Sequence, residues 1–235
     1  MTITQTLNGP RAELGFFPED AGYTSRLRGL EVVPEKLYAI GDVDVLDSEM
    51  LAVIGVRRGT PYGYRCVDRF VGFAAGEGVT VLTGGARGIE SEAIDVALAC
   101  GSKCAVVLAG GLDNPWPAEN VEQFQRVIDG GGVIVSERSW EVAPTPHMFR
   151  SRTRIIAALC RAMLVIEAGL PSGVFSTADA ALGLNRPVFA IPGSVFCDAS
   201  RGCNALLEVG AVPVYDERSF EAALANAGFS VFQPF

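Results

Sequence analysis

From about residue 50 the chain alternates two kinds of segment. Short runs rich in β-branched residues, "MLAVIGVR" (50–57), "VTVLTGG" (79–85), "CAVVLAGG" (104–111), "GVIVSE" (132–137), "AMLVIEA" (162–168), "PVFAIPG" (187–193) and "AVPV" (211–214), are apolar without strict alternation. Strands covered on both faces show that pattern, whereas a sheet with one wet face carries a polar residue at every second position. Between them lie the amphipathic stretches "GYRCVDRFVGFAAGEG" (63–78), "ESEAIDVALACG" (90–101), "AENVEQFQRVIDGG" (118–131) and "STADAALGLN" (176–185). Glycine closes several of these, as helix C-termini favour. Strand and helix in regular alternation predict an α/β, doubly wound, mainly parallel sheet with helices on both faces. Residues 1–48, with Pro10, Pro18, Pro34 and scattered glycines, predict an irregular or short-helical lead-in packed on a core domain of residues 49–235.

Composition narrows the function classes. At 235 residues and 49% hydrophobic, the chain has enough apolar surface for a sizeable core. No window approaches the roughly 18 apolar residues of a membrane span, and "MTITQTLNGPRAELG" lacks the basic start and apolar centre of a signal peptide, so a cytoplasmic protein with no membrane partner is expected. The six cysteines form no CxxC pair and read as reduced core residues. His147 is the only histidine, which leaves no multi-histidine metal site, and no metal or cofactor is expected. "TGGARG" does not supply GxGxxG, GxxxxGK[ST] is absent, and no GxSxG elbow occurs, which disfavours dinucleotide enzymes, P-loop nucleotidases and serine hydrolases. Asp113, Glu137 and Glu167 stand near strand ends, but nothing pairs them as acid and base, and they are expected to partner nearby arginines. Nothing in the sequence demands catalysis.

A net charge of −8 argues against a general coating of positive charge, yet it permits a local basic groove. Of the 19 basic residues only Lys36 and Lys103 are lysines, so an anion site must be built from arginine forks and backbone amides. Ligands of open α/β sheets bind beyond the carboxyl ends of the strands, where helix N-termini offer free amides. Those places hold Gly55-Val56-Arg57-Arg58-Gly59, "TGGARGIE" with Gly85, Arg87 and Gly88, "AGGLDNPWP", "GLPSGVFST" with Ser172 and Gly173, and "PGSVFCDASRGCN" with Gly202 and Asn204. The stretch "FRSRTRIIAALC" (149–160) adds Arg150, Arg152 and Arg154. At a helix start three arginines oppose the macrodipole, so an anion should compensate, and in either an extended or a helical lead-in at least two can face one groove. Phe149 offers a ring on which a base can stack beside those cations; Trp116 is a weaker candidate of the same kind.

With those residues in place, the sequence resembles the DprA/Smf family, the bacterial DNA-processing proteins of natural transformation, from about residue 23 to 215. The resemblance runs in order through "EKLYAIGD", "IGVR", "TGGARGIESEAIDVAL", "LAGGLDNPWP", "GGVIVSE", "FRSRTRIIAAL", "LVIEAGLPSGVFSTADAAL", "VFAIPG" and "GCNALLEVGAVPV". It implies an extended Rossmann-like domain that binds single-stranded DNA without cutting it, forms a homodimer and helps to load a RecA-type recombinase. On that resemblance Gly55 and Arg57 match the family's glycine and arginine after the first core strand, and Arg152 and Arg154 match the arginines of its "RNR" element. Ser172 and Gly173 match its "SG" turn, and Gly202 with Asn204 its "GTN" turn. Departures are Thr153 for the central Asn, Glu90 for the Asp of "GID", no histidine at Ala93-Ile94, Arg150 for the proline after Phe149, and Cys203 within "GTN". A minimal, Rossmann-only member is expected, because the sequence closes at Phe235 without the winged helix that many members append. The alternative is a small-nucleotide sensor or carrier, or a phosphoribohydrolase, of the wider Rossmann-like superfamily. The hydrolase would require a "PGGxGT" loop where this chain has "PGSVF".

Overall fold

The computed structural model describes residues 6–15 and 25–232; the expected lead-in at 1–5 and 16–24, with Pro18 and Tyr23, and the last residues 233–235 lie outside them. Among the described residues nine strands form one sheet. They are β1 (Arg11–Gly15), β2 (Lys36–Gly41), β3 (Met50–Gly55), β4 (Thr80–Thr83), β5 (Cys104–Val107), β6 (Val133–Ser136), β7 (Ala162–Ile166), β8 (Val188–Ala190) and β9 (Val212–Pro213). Their spatial order is β1-β2-β6-β5-β4-β3-β7-β8-β9. From β6 to β9 all pairings are parallel, while β2 joins β6, and β1 joins β2, antiparallel.

Burial on both faces explains why the core strands read as unbroken apolar runs. Along β3, Leu51 and Val53 belong to one hydrophobic cluster, and Met50, Ala52 and Ile54 to the other. The same alternation sorts Ala162, Leu164 and Ile166 of β7 from Met163 and Val165. Successive side chains point to opposite faces, and here each face has its own helical cover. One face is covered by α1 (Pro61–Cys66), which runs through a π turn at Val67–Val71 into α2 (Gly72–Gly76), and by α3 (Ile89–Ala99) and α4 (Val121–Asp129). The other is covered by α6 (Thr153–Leu159), α7 (Val174–Gly183) and α8 (Arg201–Glu208). Helix α5 (Pro146–Ser151) lies just before α6, and α9 (Glu217–Asn226) packs Phe220 and Leu224 on the first face.

All seven core strands expected from the pattern form. The lead-in is a correction: besides 3-10 turns at Ser25–Gly29 and Val43–Asp47, it contributes β1 and β2. Pro10 and Pro34 flank these strands instead of interrupting them, and Pro10 even accepts from the Gly41 amide through its carbonyl (3.0 Å). The cysteine expectation is also corrected in part. Cys66, Cys104, Cys160 and Cys203 are buried, but Cys100 is exposed and Cys197 half-buried. Burial pushes the Cys203 thiol up to about 12, so it is an inert core group. Among the described residues no helix is long and apolar enough to cross a membrane.

Strand β3 has β4 on one side and β7 on the other, so the chain moves outward in one direction from β3 and later in the opposite direction from β7. Loops that leave the carboxyl ends of this pair diverge, and a crevice opens between them. The candidate site lies there.

Candidate functional site

One wall of the site is the loop after β3. Gly55 is required at its start, because a Cβ would collide with the Ile166 carbonyl and the Ile89 side chain. Gly88, at φ +76°, caps α3 and lies so close that a Cβ would come within 2.7 Å of the carbonyl groups of Val56 and Arg57. The Ile89 amide then donates to the Val56 carbonyl (3.2 Å). Close packing of α3 on the loop therefore fixes where the exposed Arg57 side chain begins.

The opposite wall is the junction of α5 and α6, a stretch for which the sequence leaves an extended and a helical form open. The chain turns at Arg152, whose side chain drops into the protein and is only 7% exposed. Its Nη1 donates to the carbonyls of Gly84 (2.5 Å) and Val107 (3.3 Å) and so caps the exits of β4 and β5. Gly84 must lack a side chain, since a Cβ would lie 2.5 Å from the guanidinium. Glu90, in the first turn of α3, accepts from the amides of Gly84 (2.9 Å) and Ala86 (3.1 Å). Burial pulls the pKa of Arg152 below the usual guanidinium range; Glu90 opposes that shift and Arg57 adds to it. The residue stays protonated, but its charge is costly where it sits.

Between the walls stand two rings. Phe149 meets Trp116 edge-on at 5.0 Å between centroids. The Arg57 guanidinium lies 5.9 Å from each ring, Arg152 lies 5.3 Å from Phe149, and Arg87 lies 5.7 Å from Trp116. In the sequence alone Trp116 is the weaker aromatic candidate. Contact with Phe149 across 33 residues of chain is what brings it in, and no local pattern announces that contact.

The groove so formed holds about 630 Å³ and is lined by Gly55, Arg57, Phe149, Arg150, Arg152, Ser172 and Gly173, with Glu90 at its edge. Two of the three clustered arginines, Arg150 and Arg152, therefore face one groove, joined by Arg57 from the other wall. Among the described residues none of these three has a carboxylate within ion-pair distance, whereas Arg87 pairs with Glu119 and Arg154 with Glu137.

Several expected site residues go elsewhere. Arg154 binds the buried Glu137 at 2.5 Å, and both line a separate cleft of about 1220 Å³ bordered by residues 29–36, so Arg154 is removed from the groove. Gly85, at φ +68°, packs on Phe124 and gives its amide to Thr83 Oγ1 (3.0 Å). The "GCN" turn is corrected too. The Gly202 amide is committed to the Ala168 carbonyl (2.6 Å), and Asn204 both accepts from and donates to the backbone of Gly193 (3.1 Å each). Ser172 Oγ accepts from the Val174 amide (3.2 Å) at the start of α7, and the Gly173 Cα faces open space. Of the three acidic residues, Asp113 pairs with Arg11 and Glu137 with Arg138 and Arg154, but Glu167 accepts from Thr60.

An open α/β sheet with an arginine-lined, aromatic-walled groove beyond the carboxyl ends of its strands has the architecture of a Rossmann-type domain, in which ligands lie at that place. The family model described as DNA recombination-mediator protein A matches residues 15–224, and the chain belongs to that family, the DprA/Smf proteins. It is 38% identical over 197 residues to a DprA-type DNA processing protein of Mycobacterium tuberculosis, covering 83% of this chain and 50% of the relative. The chain thus spans about half the length of the curated relatives it first matches. The crystal structure of DNA processing protein A from Streptococcus pneumoniae superimposes with a TM-score of 0.82 at 31% identity, over 90% of this chain and 73% of that one. The structure of the Helicobacter pylori DNA processing protein A, described for its mode of single-stranded DNA binding, gives a TM-score of 0.83 at 28% identity, over 94% of this chain and 99% of that one.

Proposed function

We propose that this protein binds single-stranded DNA in the groove between Arg57 and Arg152, as a non-catalytic recombination mediator that passes the strand to a RecA-type recombinase. The observation that carries the reading is the convergence of Arg57, Arg150 and Arg152, without carboxylate partners among the described residues, on a groove with Phe149 on its wall, in a chain of net charge −8. Phosphates offset the three charges, and an exposed base stacks on the ring beside them. Binding is favoured over catalysis because Glu90, the carboxylate that lines the groove, is already held by two amides.

The test is fluorescence anisotropy of a labelled oligothymidylate across a salt series. Three phosphate contacts give a slope of log K against log salt of about −2, at roughly −0.7 per contact. A flat dependence between about 50 and 200 mM salt would remove the arginine groove from the mechanism. Stabilisation by a nucleoside monophosphate but not by the oligonucleotide would favour a small-nucleotide carrier instead.

A dimer is part of the proposal, because two grooves on one strand multiply a modest local affinity. Among the described residues the outer edge of β9 is short and unpaired, and exposed apolar side chains lie in and beside it: Val209 (74%), Val212 (39%) and Tyr215 (63%). Such an edge is a template for a second copy. Sedimentation velocity is expected to show a dimer for the wild type and a monomer for Val212→Glu/Tyr215→Ala; a variant that stays dimeric places the interface elsewhere.

A further inference from the structure

A second crevice, of about 470 Å³, is lined by residues that follow β3 (Thr60, Tyr62), β7 (Glu167) and β8 (Pro192, Gly193, Ser194). It shares no lining residue with the arginine groove, but the two adjoin. The loop that carries Arg57 runs through Thr60 into Tyr62 at the start of α1, and Gly169 of the groove lies beside Asp198 of the crevice loop. The walls are mostly apolar, with Tyr62, Gly193, Ser194 and Cys197 around the buried Glu167. Tyr62 is held upright by donating its hydroxyl to the Pro192 carbonyl (2.6 Å). In the chain between the lining residues Ser194 and Cys197, Val195 is 78% and Phe196 97% exposed. A phenylalanine that far into water has no folding role.

Glu167 is the unusual group here. It is 2% exposed and adopts φ +55°, a left-handed conformation that costs a non-glycine residue about 1–3 kcal/mol and is found mainly at functional sites. Gly63 permits its approach, since a Cβ there would collide with the carboxylate. The Thr60 amide and hydroxyl donate to Oε2 (2.9 Å) and Oε1 (2.5 Å). A carboxylate has about four acceptor positions, so each oxygen keeps one. Its charge repels phosphate and favours an N–H donor. Arginine groove and acidic crevice are thus complementary in the way that the backbone and the bases of one strand are.

We propose that the crevice is a base-binding subsite. A base of the strand whose phosphates lie on Arg57, Arg150 and Arg152 enters it, with Tyr62 and Phe196 as aromatic neighbours and its exocyclic amine donating to Glu167. This rests on the groove being the single-strand site. Cytosine carries that exocyclic amine beside an unprotonated ring N3, where thymine and uracil carry a carbonyl oxygen beside a ring N3–H, so a carboxylate facing the exocyclic position accepts from cytosine and is repelled by the other two. A strand is therefore held with a preference for amine-bearing bases, added to the sequence-independent phosphate contacts.

The experiment compares the affinities of dC, dT and dU dodecamers, uracil removing the methyl group as a variable. The proteins are wild type, Ser194→Trp, which fills the crevice from an exposed position, and Phe196→Ala, all with melting temperatures checked. Wild type is expected to bind the cytosine oligomer about tenfold more tightly than the other two, the scale of one hydrogen bond to a charged group. Ser194→Trp is expected to abolish that preference and leave thymine-oligomer binding within about twofold, and Phe196→Ala to weaken binding of the cytosine oligomer at least fivefold, as loss of one stacking contact does. Equal affinities of the wild type for all three oligomers overturn this inference and leave the groove untouched. Absence of binding to any oligomer overturns the groove reading and this one with it. Cytidine monophosphate in competition separates the two sources of the base: displacement from the crevice only when the base belongs to a strand supports the proposal, and tight binding of the free nucleotide without oligomer preference overturns it.

Discussion

Arg57→Ala/Arg150→Ala is expected to weaken oligonucleotide binding about thirtyfold, close to 2 kcal/mol for two charge-assisted contacts, while the protein melts at the wild-type temperature. The two effects separate because both side chains are exposed and neither has a described carboxylate partner whose charge would be stranded. Their removal takes positive charge from the groove and nothing from the core. The slope of log K against log salt is expected to fall by about 1.4, the share of two single-strand phosphates. The salt series is the sharper readout. A thirtyfold loss with an unchanged slope would mean that the arginines shape the site without touching phosphate, Arg57 acting through the rings of Trp116 and Phe149. An unchanged affinity would move the DNA path off this groove altogether. The control is Arg154→Ala, which also removes one positive charge but takes it from a pair with Glu137 inside a separate cleft. It is expected to leave the salt slope as it is in the wild type.

That contrast between neighbours shows where sequence reasoning reaches and where it stops. Unbroken apolar runs disclosed seven strands and both covered faces, because burial on two sides suppresses polar residues at every position of a strand. The strands of the lead-in were hidden, because β1 is a solvent-facing edge with Arg11 and Glu13 in its pattern. Arg150, Arg152 and Arg154 look equivalent in "FRSRTR", yet one faces solvent, one enters the core and one pairs with Glu137. The separation depends on the break between α5 and α6, and that break depends on the Gly84 and Val107 carbonyls, 68 and 45 residues away, which accept from Arg152. Glycines misled in the same manner. A glycine loop reads as a phosphate cradle, but Gly85 makes room for Phe124, Gly88 for the Arg57 loop and Gly202 for Ala168. The choice between a backbone approaching a ligand and a backbone approaching another part of the protein is made by tertiary contacts alone.

Arg152 has both roles at once, and Arg152→Ala is expected to lower stability by about 3 kcal/mol, or roughly 6–12 °C in melting temperature for a domain of this size. Alanine would leave the Gly84 and Val107 carbonyls without their donor at the exits of β4 and β5, and Glu90 without the cation that faces it. An uncompensated buried group costs more than the contact it lost. The same burial is the reason an anion binds well here. Arg152 holds its charge in poor solvent with two neutral carbonyls as partners, so a phosphate entering the groove relieves it more than it would a hydrated surface arginine. The oligonucleotide is therefore expected to raise the melting temperature of the wild type more than that of Arg152→Ala at equal concentration. Arg152→Lys, which keeps the charge and loses the planar fork, is expected to fall between them in both respects. A variant that melts like the wild type would deny the buried side chain its part in closing β4 and β5. One that melts early yet, well below its own transition, binds the oligonucleotide with wild-type affinity would make Arg152 a support for the groove and leave phosphate contact to Arg57 and Arg150.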